Sequence, residues 1–414
     1  MRRVLRRWTL LWMAVILLSV HAQAEGKAFR RQTMDYFSTV CMLTIYPENN
    51  VDGQTIWQEV KATLARIEQA VSVSDASSDV ARFNTLQFGE ETAVSSDTAA
   101  MLKIAMLIHE QTDGLYDPTV YPLIDLWGFS PRFNEQVYTL SMPYDRAYVN
   151  GLLPLPEEKY IEALRQLVQL RSVTLTERDG QFFLRKDIPP VTVDGVTYQA
   201  MLDLGGIAKG YACDCVRTLL KNHGIERGVF ICGESSITFL QSAAEDGCYR
   251  IELGKPRPGL GKEACYASLR ASNVSLSSSS DSRHAYVISG VRYCHLIDPR
   301  TGWPINRPDE NGMQQGVISA TILGEGAAYD DAMTTALCVM GKDGARAFMA
   351  THSEVQTVIV CQEDGQTLNV YTNLPEETLF MADDAYHLKS LPQRLKSSLP
   401  HFLTADYKKT GAFF

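Results

Sequence analysis

Four short stretches carry residue types that could do chemistry. The first is "LDLGGIAKG", Leu202 to Gly210. Adjacent glycines at 205 and 206 let a backbone adopt positive φ and approach a ligand closely. A helix starting there turns free N–H groups and the positive end of its dipole toward an anion. Lys209 would add charge in the first turn, and Asp203 could bind a sugar or base edge. The same residues also describe a plain strand–turn–helix with a solvated lysine; the stretch is neither G-x-G-x-x-G nor a P-loop. The second stretch is "YDDAMTTAL". Asp331 and Thr335 share one face of a helix, and a carboxylate plus a hydroxyl, completed by water and ligand phosphates, is a way to hold Mg²⁺. The alternative is that Asp330 or Asp331 caps the helix while the threonines pack.

The third stretch is "RYCHLIDPRTGWP". It reads as a short apolar strand containing His295, then a turn from Asp298 to Gly302. His295 is either a general base or a core histidine. The fourth is "GLYDPTVYPLIDLWGF", where Tyr116 and Trp127 bracket Asp117 and Pro118. Such rings either clamp a planar ligand or pack a core under a Pro-stiffened loop.

These stretches need elements to hold them. "VCMLTIYP" alternates as a strand over Val40–Tyr46, and "TIWQEVKATLARIEQAVS" has helical spacing through Ile56, Val60, Leu64 and Ile67. "SDTAAMLKIAMLIHEQTDG" has a serine/aspartate start and a glycine stop, so it reads as a helix. "LPEEKYIEALRQLVQL" is another helix, and "SVTLTERDGQFFLRK" is a hairpin turning at Asp179-Gly180. "AMLDL" reads as a strand feeding the helix "IAKGYACDCVRTLLKNHG", closed by Gly224. Strands follow in "GVFICG", "YRIELG", "CYASLRAS" and "GVISATILG", then a helix from Ala327, with "TVIVCQ" and "TLNVYT" ending the sheet. Helices and strands mix without strict alternation, which predicts an α+β fold: a single large domain with a central, mostly antiparallel sheet flanked by helices.

The first 24 residues read as a leader rather than fold. Four arginines precede an apolar run from Trp8 to Val20, which ends in Ala22-Gln23-Ala24. That is a charged segment, an apolar segment and a cleavage site of the A-x-A kind, with an uncleaved membrane anchor as the alternative. The expected location is therefore exported, periplasmic or on the extracytoplasmic face of the membrane. A net charge of −9 argues against nucleic acid as a partner. The nine cysteines show no framework spacing; several sit in apolar runs as small hydrophobes, and Cys248 could pair with Cys265 across a loop.

Taken in order, the chain resembles the FAD:protein FMN transferase family, the ApbE-like flavin transferases. The blocks that carry this are "FSTV" at 37–40, "SDVARFN" at 78–84, "YDPTVYPLIDLWGF" at 116–129 and "LDLGGIAKGYACD" at 202–214. "GES" at 233–235, "SSSDS" at 278–282, "HLIDPRTGWP" at 295–304 and "DAMTTA" at 331–336 follow. The chain departs from the family at Ser278-Ser279-Ser280, where the family has T-S-G, and at Gly233-Glu234-Ser235, where it has G-G-N. Phe37 replaces a methionine, and Ser74 stands where an aromatic is frequent. The resemblance spans about residues 33–375, the implied transferase domain (ApbE-like, T-fold-like), with 376–414 an extension of unknown role.

The resemblance implies that Phe37, Leu115, Tyr116, Asp117, Asp203, Lys209 and Ile297 contact FAD. It implies a Mg²⁺ site from Asp331, Thr335 and oxygens at the Gly206 and Thr334 positions, with His295 as general base. The implied reaction splits FAD and passes FMN to a Thr or Ser hydroxyl of an acceptor protein, a subunit of a membrane redox complex, releasing AMP. The competing activities are an FAD pyrophosphatase giving FMN and AMP, and a non-catalytic exported flavin-binding protein.

Overall fold

The strand Gly228–Cys232 is buried at all five positions because both of its faces are covered. Phe230 and Cys232 enter one apolar core, Val229 and Ile231 another. That period-two split organises the molecule, a computed structural model describing residues 28–48, 51–130, 155–257, 259–282, 284–364 and 367–391. Residues 1–24, expected to be a leader, lie outside these.

The central sheet has nine strands in the order β1 (Phe29–Thr33), β2 (Cys41–Ile45), β8 (Gly228–Cys232), β9 (Ser236–Phe239), β12 (Ser275–Ser280), β15 (Gly316–Gly324), β16 (Gln356–Glu363), β17 (Thr367–Thr372) and β19 (Tyr386–Ser390). Every neighbouring pair is antiparallel except β17–β19. Against one face lie three helices: α1 (Gly53–Val71), α6 (Gly205–Asn222) and α7 (Ala327–Thr351), the last kinked at Gly341. Against the other lies a small sheet of β10 (Tyr249–Gly254), β11 (Cys265–Ala271) and β18 (Leu379–Met381). Helices α2 (Asp79–Thr85), α3 (Ser96–Gln111), α4 (Tyr121–Leu126) and α5 (Glu158–Arg165) complete the helical side. With them are the sheet β3 (Glu91–Val94), β5 (Gln181–Lys186), β4 (Val173–Arg178) and the hairpins β6 (Val191–Val193)–β7 (Val196–Tyr198) and β13 (Ala285–Ile288)–β14 (Val291–Cys294). This is the expected α+β domain, and no described helix is long and apolar enough to cross a membrane.

Several expectations are corrected. Ala200–Leu204 is not a strand: a single bridge joins Met201 to Val120. Gly205 and Gly206 take ordinary helical φ and open α6 directly. Strand β14 ends at Cys294, so His295 lies just beyond it. The sheet does not end at Thr372, because β19 adds in parallel beside β17. The serine run forms β12, a central strand. Cys248 and Cys265 stand at opposite ends of the β10–β11 ladder and are not paired.

Helices α6 and α7 meet at Gly210. A Cβ there would lie 2.1 Å from the Ala327 carbonyl oxygen and 2.8 Å from the Asp331 Cβ. The two helices also exchange carboxylates. Asp214 of α6 accepts the Ala327 and Ala328 N–H groups at 2.9 and 2.8 Å, capping a helix whose own N-cap, Gly326, has no side chain. Asp331 of α7 accepts the Gly210 N–H at 3.0 Å. Gly210→Ala should therefore cost about 3 kcal/mol by overpacking, visible as a lower midpoint in denaturant unfolding; an unchanged midpoint would show that the helices can part at no cost.

Candidate active site

The closeness of α6 and α7 assembles a cluster of oxygens. An α-helical N–H at position 210 points at the carbonyl of position 206, and the Asp331 carboxylate sits on that same N–H. The carboxylate thus sits one helical turn from Gly206. A Cβ on Gly206 would be 3.5 Å from the Tyr116 hydroxyl and 3.9 Å from Thr335 Oγ1. Tyr116, Gly206, Asp331 and Thr335 are therefore neighbours, although they come from three separate stretches. Thr334 is wholly buried; its hydroxyl donates to the Asp331 carbonyl at 2.7 Å. Ser279, from β12, links the pair, with its Oγ 2.9 Å from Thr334 Oγ1 and 3.1 Å from Thr335 Oγ1.

Asp203 and Lys209 frame the start of α6. Asp203 Oδ1 accepts the Gly205 N–H at 2.7 Å, and Lys209 donates to the Gly205 carbonyl at 3.2 Å. Burial raises the carboxyl pKa of Asp203 and of Asp331, while the Lys209 charge pulls both back down; the lysine acts on both acids at once. Burial, then the charges of Asp331, Asp203 and Asp117, push the Tyr116 phenol well above its ordinary range, so it stays protonated. Asp331 has no cationic side chain within ion-pair distance among the described residues. A buried carboxylate in that state is costly unless a cation arrives.

Could the cluster take Mg²⁺? Among the described residues no group of three or more His, Cys, Asp or Glu side chains could hold an ion. The donors here are instead one carboxylate, hydroxyls and a carbonyl, all hard oxygens. That set suits Mg²⁺, which keeps several waters and binds through one or two carboxylates and substrate phosphates.

The other candidates are held by contacts of their own. Asp117 turns its carboxylate into the fold: Oδ1 accepts the Thr119 N–H at 2.8 Å and Oδ2 accepts the Leu170 N–H at 3.0 Å. His109 stands 3.5 Å from it and bonds the Tyr116 carbonyl at 3.1 Å. Asp117 and His109 thus hold the loop that presents Leu115 and Tyr116. Phe37 sits at the tip of the β1–β2 turn with φ +53°, its N–H donated to Glu68 at 2.7 Å. Ile297 is buried and bridges to Pro304. The backbone N–H of His295 is donated to the His284 carbonyl at 3.0 Å, and the two imidazoles meet edge-on; His295 directly follows the β13–β14 hairpin. Trp127 and Tyr116 are both buried in the same apolar core; Trp127 is stacked with Tyr293 and tilted against Trp303.

Asp214, Ser279 and Asn84 had no assigned role in the sequence, though each stands inside a block it singled out. A cavity of about 420 Å³ between α1, α3 and α6, and another of about 460 Å³ at the α7 kink, include none of the candidate residues.

The model of the ApbE family matches residues 37–359. A Vibrio cholerae protein named FAD:protein FMN transferase is 29% identical over 364 residues, covering 87% of this chain and 96% of its own. An Escherichia coli K12 protein of the same name is 27% identical over 70% of this chain and 72% of its own. Among solved structures, "Flavin Transferase ApbE from Vibrio cholerae" superposes with a TM-score of 0.65 at 25% identity, covering 84% of this chain and 97% of that one. The apo flavinyl transferase ApbE of Pseudomonas stutzeri, at 21% identity and TM-score 0.65, shares the fold.

The loop geometry makes a prediction. Asp117→Asn keeps the shape but places an NH₂ against a backbone N–H that now finds an acceptor. It should cost about 2 kcal/mol, read as a lower unfolding midpoint; no loss would mean the loop is held without that carboxylate.

Proposed function

The chain belongs to the ApbE family, and on that premise we propose that it is a Mg²⁺-dependent FAD:protein FMN transferase. What supports the reading is the placing of Asp331 on the Gly210 N–H, with Thr335 and Tyr116 beside Gly206, at a helix start flanked by Asp203 and Lys209. A pyrophosphate needs such a place: hard oxygens for its metal, a fixed positive charge, and a helix N-terminus.

In this reading Asp203, Lys209, Phe37, Ile297 and the Leu115–Asp117 segment bind FAD, Asp117 through the loop it holds. Asp331, Thr335 and the Gly206 and Thr334 positions hold Mg²⁺, which when bound neutralises pyrophosphate charge. The acceptor's Thr or Ser hydroxyl attacks the FMN phosphorus. A new P–O bond forms to that oxygen, the bond from phosphorus to the bridging oxygen breaks, and AMP leaves with the bridging oxygen. His295 takes the hydroxyl proton. The enzyme supplies no nucleophile; Lys209 and the α6 N-terminus stabilise charge, and positioning does the rest. The leader-like N-terminus supports an exported enzyme acting on a membrane redox subunit.

The test is incubation with FAD, Mg²⁺ and a threonine-bearing acceptor domain. Covalently flavinylated acceptor with one AMP per label supports transfer. FMN and AMP without label would make the protein a pyrophosphatase, and intact FAD would reduce it to a binding protein. Asp331→Ala should abolish turnover; full activity in that variant would remove Asp331 from the metal site.

The raised pKa of Asp331 sets a pH dependence. In mild acid more of the carboxyl carries a proton, and the proton competes with metal. The Mg²⁺-induced gain in Tm should grow from about pH 5 to about pH 7.5 and vanish in Asp331→Ala. An equal gain at both pH values would place the metal elsewhere.

A further inference from the structure

We propose that Asn84 is a positioning residue for the nucleotide site, its carboxamide standing in for a missing β-strand and fixing the entry of the chain into α6. The inference rests on the functional reading above.

Residues 200–204 run between elements without joining a sheet. On one side the chain is held by the Met201–Val120 bridge and by the Asp203 N–H, donated to the Pro118 carbonyl at 2.9 Å. The other side would be bare, and buried backbone groups cannot be left so. Asn84 fills it. Its Oδ1 accepts the Leu202 N–H at 2.6 Å and its Nδ2 donates to the Leu202 carbonyl at 3.0 Å. One side chain thus makes the pair of bonds that a neighbouring strand would make. Asparagine suits this because it carries a donor and an acceptor in one plane; aspartate has no donor for the carbonyl, and alanine leaves both groups unmet.

The next residue is Asp203, which bonds Gly205, and Gly206 follows against Tyr116 and Thr335. A shift of Leu202 is therefore a shift of the ligand-facing start of α6. Asn84 is itself held at both ends of α2. At the C-terminal end the buried Lys186 donates to the Leu86 carbonyl at 2.7 Å, with the Asn84 carbonyl at 3.4 Å. At the other end Ser78 caps the helix and Asp79 accepts from Ser95 and Thr98. A seven-residue helix anchored this way is a rigid mount for the clamp.

The test compares Asn84→Ser and Asn84→Ala with Asn373→Ser. Asn373 makes the same kind of two-point backbone clamp, on Thr357 and Val355, in the β16–β17 region away from the site. All three should lower Tm. The Asn84 variants should also weaken FAD binding and raise its KM about tenfold, with Ser milder than Ala, while Asn373→Ser stays within about twofold of wild type. If the Asn84 variants lose Tm alone and bind FAD as wild type does, the proposal is overturned. Should wild type itself bind no FAD, the functional reading fails instead. The clamp is then judged by amide exchange at Leu202–Ile207, which must quicken in Asn84→Ser and not in Asn373→Ser.

Discussion

Two helices can share backbone groups only where a side chain is missing from the line between them. Gly210 supplies that absence, with the Ala327 carbonyl lying where its Cβ would be. At this separation a carboxylate on each helix reaches the other's backbone, Asp214 to the α7 N-terminus and Asp331 to the Gly210 N–H. The proximity of Asp331 and Thr335 to Gly206 follows from the same contact. Widening the helix pair by one methyl group would pull the Asp331 carboxylate off the Gly210 N–H.

That contact brings Asp214, Asp330 and Asp331 into one buried region. Their burdens are met unequally. Asp214 receives two N–H groups of a helix N-terminus, where negative charge is favourable. Asp330 accepts the Ser275 hydroxyl at 2.6 Å, and burial raises its pKa well above the ordinary carboxyl range. Asp331 has one N–H, the nearby Ser236 hydroxyl and the field of Lys209. Of the three it is the acid whose surroundings leave most for a bound cation to do, and it also faces hydroxyls and a carbonyl.

Much of this was legible as residue types in order, and less as physics. The glycines of "LDLGGIAKG" were read as a source of positive φ, whereas both are helical. Gly206 matters for what stands beside it, and Gly210 for what would collide with it; both are facts about α7 and Tyr116, distant in sequence. The serine run gave no strand signal, because a small polar strand is stable in the middle of a sheet only when its neighbours pair with it, as β9 and β15 do here. At the T-S-G departure Ser279 keeps a hydroxyl between Thr334 and Thr335. Asp117 and Asp203 looked equivalent as acids near a ligand. Two backbone N–H groups and a histidine claim the first, and the start of α6 holds the second.

The site therefore divides into two parts of different build. The cradle is made by α6 and α7, a helix pair locked by reciprocal carboxylates and backed by the central sheet. His295 directly follows a short hairpin that leaves the sheet after β12 and packs against the Trp127 aromatic cluster. On the proposed reaction this division has a reason. The nucleotide is the same in every turnover, and its charge is best met by donors that need no reorganisation. The second substrate is a protein, whose hydroxyl must come within hydrogen-bond reach of the base before it can attack. On this reading, a base carried beside the hairpin rather than on α6 or α7 lets acceptor fit be tuned without disturbing the oxygens around Asp331.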